Sequence, residues 1–243
     1  MISQVSLRND DAISPAWKQT LLNEAARLVT DYLVDSRYAC NFDWLGLPIT
    51  QFPADIVALQ EICWKVKPAV LVETGVARGG STLFYASMLE WLGSDGFVLG
   101  VDVGIRGDIR QAMKAHPLAR RIRLVEGSSV DPAVAPQVGS MVGARGPVLV
   151  VLDSQYTKEH ALAGLDLYSP RVGPGSYVVV QDTTTGSSPK SLYENNGQSK
   201  GRLPADAVEE FLHRPGCRFT VDEDYAAKLL FTRLPRGFLR CVA

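Results

Sequence analysis

No run of apolar residues in this chain approaches the roughly 20 that a bilayer-spanning helix needs, so no such helix is expected. Cysteine is sparse. Cys40, Cys63, Cys217 and Cys241 are scattered, and none follows Cys-x-x-Cys spacing. That argues against a zinc site or a disulfide framework and suits reduced thiols in the cytoplasm. Charge of neither sign dominates, since 25 Lys and Arg face 26 Asp and Glu for a formal net charge of -1. No basic balance therefore points to nucleic acid. Met1 to Asp11 hold no basic segment followed by an apolar one, so no secretory leader is expected. Also missing is the Gly-x-Gly-x-x-Gly fingerprint that cradles a pyrophosphate, which argues against a nicotinamide dehydrogenase.

What the chain does contain is a strand–loop–helix entry. The apolar run Ala69 to Val72 ends in Glu73-Thr74-Gly75, and Gly79-Gly80-Ser81 follow before an apolar helical pattern begins at Thr82. A second apolar run, Phe97 to Val101, ends in Asp102. A carboxylate at the tip of a second strand is placed to hold ribose hydroxyls. An acid before the first glycine suits a cationic ligand better than a pyrophosphate. S-adenosylmethionine carries a sulfonium and an ammonium and no phosphate, so it is the expected cofactor. The competing reading makes the glycines a structural turn and Asp102 a helix cap.

The 243 residues suffice for one large α/β domain with a helical extension. Helical spacing is expected over Pro15 to Val34 and Ala54 to Val66, with Cys40 to Pro53 irregular between them. Strands are expected at 69–73, 97–102, 121–126, 147–153 and 175–181, with helices at 81–92, 106–114, 131–142 and 157–168. Such alternation implies a parallel sheet covered on both faces. Thr183 to Gly201 is long and polar, and is read as a candidate active-site lid. Ala205 to His213 is read as a helix, and Arg218 to Val221 and Lys228 to Thr232 as two strands of a terminal hairpin.

Ligands of open parallel sheets bind beyond the carboxyl ends of the strands. Those ends here are Glu73, Asp102, Glu126 to Ser129, Asp153 and Gln181-Asp182. Asp153, Gln181 and Asp182 should end neighbouring strands, where three oxygens could hold a hard cation such as magnesium. Helix and turn capping is the alternative role for Asp153 and Asp182. Thr157 resembles an N-cap, which puts His160 in the first turn of the next helix and near the same edge. His160 is a candidate base. Tyr156 lies close to Asp153 in sequence, but a phenol with a pKa near 10 is a poor base unless a cation lowers it.

The chain resembles the rhamnosyl O-methyltransferase / cephalosporin hydroxylase-like family of class I S-adenosylmethionine-dependent methyltransferases. The resemblance runs from about Trp44 to Arg240 and rests on Trp44-Leu-Gly46, Pro53-Ala-Asp55, Gln60-Glu61, Val72-Glu-Thr-Gly-Val-Ala-Arg-Gly-Gly-Ser81, Val151-Leu-Asp-Ser154, Val172-Gly-Pro-Gly-Ser-Tyr177 and Lys228-Leu-Leu-Phe-Thr232. It implies a Rossmann-like α/β fold with a mostly parallel twisted sheet and an antiparallel C-terminal hairpin. Residues 1–50 would form an N-terminal helical extension and 51–243 the catalytic domain. The implied cofactor residues are Glu73, Gly75 and Ser81 around the methionine part, Asp102 at the ribose, and Ser128 or Ser129 at the adenine, with Thr74 and Gly79 also in the cofactor-binding set. Asp153, Gln181 and Asp182 would be the metal residues. Two positions depart from the family pattern: Gln181 stands where glutamate is usual, and Tyr156 where histidine is usual. His160 matches a second family histidine.

The expected activity is methylation of a hydroxyl on a small molecule or glycoside in secondary metabolism or glycan tailoring, by a homo-oligomer. The rivals are different chemistry on the same cofactor, or a binding protein without catalysis. Acceptor specificity is assigned to Cys40 to Pro53 and Thr183 to Gly201.

Overall fold

In a computed structural model of the chain, residues 16–184 and 203–243 are described. Most of the proposed lid, 185–201, therefore lies outside the described residues.

Helix α1 (Ala16–Asp35) leads into a 3-10 turn (Tyr38–Asn41), a short hairpin of β1 (Phe42–Trp44) and β2 (Leu47–Ile49), and α2 (Pro53–Val66). Strands and helices then alternate: β3 (Val70–Thr74), α3 (Gly80–Trp91), β4 (Phe97–Asp102), α4 (Gly107–Ala115), β5 (Ile122–Glu126), α5 (Val134–Val142), β6 (Val148–Leu152), α6 (Lys158–Tyr168) and β7 (Tyr177–Val180). The chain closes with α7 (Pro204–Leu212), β8 (Phe219–Val221), α8 (Glu223–Lys228) and β9 (Phe238–Cys241).

The main sheet has the order β5-β4-β3-β6-β7-β9-β8. Pairing is parallel from β5 to β7 and antiparallel at β7–β9 and β9–β8. Every residue of β3, β6 and β7 is buried, as expected of strands covered on both faces. Alternate residues serve opposite layers. Val70, Val72, Val150 and Val178 pack with Val138 of α5, Leu165 of α6 and Val208 of α7. Leu71, Leu149, Val151 and Val179 pack with Leu59 and Ile62 of α2 and Phe84 and Leu89 of α3. The order of the strands reverses between β3 and β6, so a crevice opens at their carboxyl ends.

Two local expectations change. The terminal hairpin exists, but its second strand is Phe238–Cys241, not Lys228 to Thr232. Asp222 caps a helix there instead, its Oδ1 accepting from the Asp224 amide at 3.2 Å. The apolar face of that helix is anchored by Tyr225 against Tyr177 and Phe238. The segment Cys40 to Pro53 is likewise ordered, not irregular. Leu45 (φ 49°) and Gly46 (φ 90°) turn the β1–β2 hairpin, as left-handed residues do in tight two-residue turns. Trp44 then packs edge-on against Phe84 and donates its indole N–H to Ser87 at 3.1 Å.

That hairpin lies directly on the start of α3. A Cβ at Gly80 would stand 2.3 Å from the carbonyl oxygen of Pro48. Backbone cannot yield as a flexible side chain does. Gly80→Ala is therefore expected to cost about 1–3 kcal/mol as an overpacking change. The measurement is the urea midpoint, which should fall at an unchanged slope.

Candidate active site

The glycine loop after β3 is shaped from within. Gly75 has φ 94°, and a Cβ there would stand 1.9 Å from the carbonyl oxygen of Asp153. Only glycine lets the loop pass the tip of β6. Gly79 (φ 85°) likewise leaves no room between Met113 and Leu47. Asp102 Oδ2 accepts from the amides of Val76 at 2.9 Å and Ala77 at 3.0 Å, and its Oδ1 accepts from Gly104 at 3.0 Å. Asp102 thus clamps the loop while sitting at the tip of β4. Carboxylate oxygens offer about four acceptor sites, so capacity remains for a ligand's hydroxyls.

Glu73 is fully buried. The Thr82 hydroxyl donates to its Oε2, and its Oε1 accepts no hydrogen bond. Burial pushes its carboxyl from 4.5 to about 7, against hydrogen bonding from Ser81 and Thr82, with Asp102 adding to the rise. An orphaned buried acceptor beneath a glycine loop is a site that lacks its donor.

A recess opens between the tips of β3, β6 and β7 and the start of α6. It is lined in part by Thr74, Ser129, Asp153, Tyr156, His160 and Gln181. Thr157 accepts from the His160 amide at 3.3 Å, so it is the N-cap and His160 lies in the first helical turn. His160 Nε2 sits 2.8 Å from Ser154 Oγ and 3.1 Å from Ser129 Oγ. Thr74 donates to Ser154 at 3.3 Å, which extends the chain of polar groups across the recess. Burial lowers the pKa of His160. Ser129 is buried and committed to this network, whereas Ser128 turns the chain by accepting from the Asp131 amide at 3.0 Å.

The acids converge beside it. Asp182 has a left-handed backbone (φ 54°) and pairs with Arg233. Tyr156 donates to Asp182 and accepts from Arg233. The Arg233 amide donates to Asp55 Oδ2 at 3.0 Å, and Arg233 Nη1 reaches the Thr50 carbonyl at 3.4 Å. Burial and the neighbouring Asp182 push the Asp153 carboxyl well above the usual range, with Arg233 pulling the other way. Burial also raises Asp182, opposed by Arg233 and Tyr156, and raises Asp55 to about 6. Asp153 and Asp182 push the Tyr156 phenol up. Burial works against the charge of Arg233, but Asp182, Tyr156, Asp153 and Asp55 outweigh it.

Sequence reasoning brought Asp153, Tyr156, His160, Gln181 and Asp182 to one edge, where they stand. It missed Arg233, Asp55 and Ser154. Asp55 and Ser154 belong to the Pro53-Ala-Asp55 and Val151-Leu-Asp-Ser154 motifs, where sequence alone assigns them no role. Arg233 follows a segment expected to be a strand, and nothing local marks it.

Strand order, glycine loop and acidic strand tips define a class I S-adenosylmethionine-dependent methyltransferase. The profile of the Rhamnosyl O-methyltransferase/CmcI family matches residues 36–242, and the chain belongs to that family. It is 28% identical over 200 residues to a rhamnosyl O-methyltransferase of Mycobacterium tuberculosis, covering 81% of this chain and 76% of the relative. A Mycobacterium leprae protein of the same name is 28% identical over 199 residues, 81% of each chain. Among solved structures, CmcI with magnesium and S-adenosylmethionine shares the fold with a TM-score of 0.56 at 20% identity, covering 84% of this chain and 78% of that one. A Bacillus cereus O-methyltransferase with S-adenosylhomocysteine gives 0.54 at 15% identity, covering 96% and 94%. The enzyme is an S-adenosylmethionine-dependent O-methyltransferase.

The residues fit that cofactor. Glu73 keeps an unmet buried acceptor, and Asp102 keeps acceptor capacity at the second strand tip. A divalent cation fits less well. Asp182 is already paired with Arg233, and Gln181 offers a neutral amide whose buried Nε2 has no partner. The Gln181 carbonyl oxygen could ligate a hard cation, but it brings no negative charge. Among the described residues, no three His, Cys, Asp or Glu side chains are grouped to hold a metal. With Arg233 paired to Asp182, these side chains make a poor divalent-cation site.

Glu73 yields a test of sign. Its folded pKa stands above the unfolded value of 4.5. The stability it contributes is complete below that value and is lost as pH rises through about 7. Glu73→Gln has no such loss, so the ligand-free variant is expected to lose less stability than the parent between about pH 5 and about pH 8. Chemical denaturation at the two pH values measures it.

Proposed function

We propose that this enzyme methylates a hydroxyl of a glycoside or related small molecule of secondary metabolism. The single observation carrying this reading is the convergence of Asp153, Asp182 and Tyr156 at the carboxyl edge of the sheet. The family membership and the name rhamnosyl O-methyltransferase carried by the relatives support a sugar hydroxyl as acceptor.

When bound, S-adenosylmethionine supplies a sulfonium methyl group, which an acceptor oxygen takes in line as the carbon–sulfur bond breaks and its own proton departs. Glu73, Thr74, Gly75, Gly79 and Ser81 hold the amino-acid end, where the unmet Glu73 oxygen meets an ammonium. Asp102 takes the ribose hydroxyls. Asp153, at the tip of β6 and lining the recess, is the residue assigned to receive the acceptor's proton. Tyr156 keeps its proton and serves as a donor, because the two aspartates disfavour phenolate. His160, engaged by Ser154 and Ser129, orients the recess wall.

The free thiols of all four cysteines suit a reducing cytoplasm, and no helix among the described residues is long and apolar enough to cross a membrane. Leu21, Leu22, Leu28, Val29 and Tyr32 are exposed along α1. We read this face as the contact between copies in a homo-oligomer. Light scattering should report more than one chain per particle, and Leu28→Glu should reduce that number; a monomeric parent would sink the reading.

The function is tested by incubating the protein with S-adenosylmethionine and a panel of rhamnosides. S-adenosylhomocysteine and a methylated sugar are expected, and methylthioadenosine would instead indicate transfer of another part of the cofactor. Asp102→Ala should weaken cofactor binding by about tenfold or more. Asp153→Asn should bind the cofactor normally and lose about 100-fold or more in turnover.

A further inference from the structure

We propose that Arg233 is the resident cation of this active site, standing where a divalent metal would otherwise be required. The inference rests on the methyltransferase reading and deepens it. An active site that brings Asp153, Asp182 and Asp55 together must neutralise them, and the chain does so with its own guanidinium.

The placement of Arg233 is built, not incidental. Its backbone amide is fixed by Asp55 at 3.0 Å. The next amide, Leu234, donates to Thr232 Oγ1 at 2.9 Å. The Thr183 hydroxyl holds the Pro235 carbonyl at 2.7 Å. Gly237 lets the segment approach β7, for a Cβ there would stand 2.2 Å from the Val180 carbonyl oxygen. These four restraints aim the guanidinium at Asp182 and Tyr156. Only 21% of the Arg233 side chain and 13% of the Asp182 side chain are exposed.

Two features of the donor set agree. Gln181 removes one negative charge from the cluster, which leaves less to bind a dication. An arginine is permanently charged and presents several donors in a fixed plane, so it can orient two oxygen groups at once. It acts on neighbouring oxygens through space and hydrogen bonds, without the direct bond to oxygen that a Lewis acid makes. Arg233 therefore acts as a positioning residue that balances charge and holds Asp182 and Tyr156, while Asp153 receives the proton.

The test uses manganese as the probe, read as free Mn2+ by electron paramagnetic resonance in the full-length protein. The parent is expected to show no manganese site that depends on Asp153. Arg233→Gln should acquire one, with affinity at least about tenfold above the parent. Combining Arg233→Gln with Asp153→Asn should abolish it, and Arg233→Lys, which keeps a cation, should not acquire it. Arg233→Ala is the more drastic variant, and circular dichroism reports whether each one folds. A parent that binds manganese through Asp153 overturns the proposal. So does an Arg233→Gln protein that folds and gains no site, because the arginine then holds no metal's place. Titration of S-adenosylmethionine into the parent with a chelator present is read separately. Failure there removes the methyltransferase reading and leaves the manganese comparison intact.

Discussion

Ionised carboxylates gathered inside a protein need a countercharge or must take up protons. Asp153, Asp182 and Asp55 meet at the carboxyl edge of one sheet, and Arg233 is the cation they share. In an enclosed pair of this kind, loss of one partner strands the other, which costs about 3–5 kcal/mol when both are fully buried. The pair here keeps some solvent, so its cost lies below that range. The remaining architecture of the edge is arranged around this neutralisation. Tyr156 bridges acid and base, Asp182 takes a left-handed backbone that aspartate tolerates better than most residues, and the last loop is tied down at several points to deliver one guanidinium.

The glycine loop solves a different problem with the same economy of parts. Its positive φ angles let the chain turn between β3 and α3, yet each glycine also answers to a neighbour. Gly75 makes room for the Asp153 carbonyl, and Gly80 makes room for Pro48. Asp102 fixes the loop through backbone amides before any ligand arrives. Cofactor loop, acid tip and N-terminal hairpin are thus in mutual contact, and a change in one is felt by the others.

Much of this was legible in the sequence, and the reasons are physical. Strands buried on both faces write themselves as unbroken apolar runs, so β3, β4, β6 and β7 were placed within two residues of their observed ends. Asp153 and Asp182 were paired correctly because neighbouring parallel strands end together. The failures share a cause. Lys228 to Thr232 reads as a strand, but the capped helix at Asp222 and the packing of Tyr225 decide that segment. The β1–β2 hairpin is too short for alternation to show, and is held by Trp44 on Phe84 across the chain. Arg233 was invisible because its meaning comes from Asp55 and Asp182, and no local pattern encodes a contact across 178 positions.

That separation has a consequence for how the molecule is assembled. During synthesis Asp55, Asp153 and Asp182 leave the ribosome well before Arg233, and β3, β6 and β7 can pair among themselves without it. The final segment brings Arg233 to the acidic rim, where β9 lies beside β7. A chain that ends before Arg233 therefore carries the acidic rim without its cation.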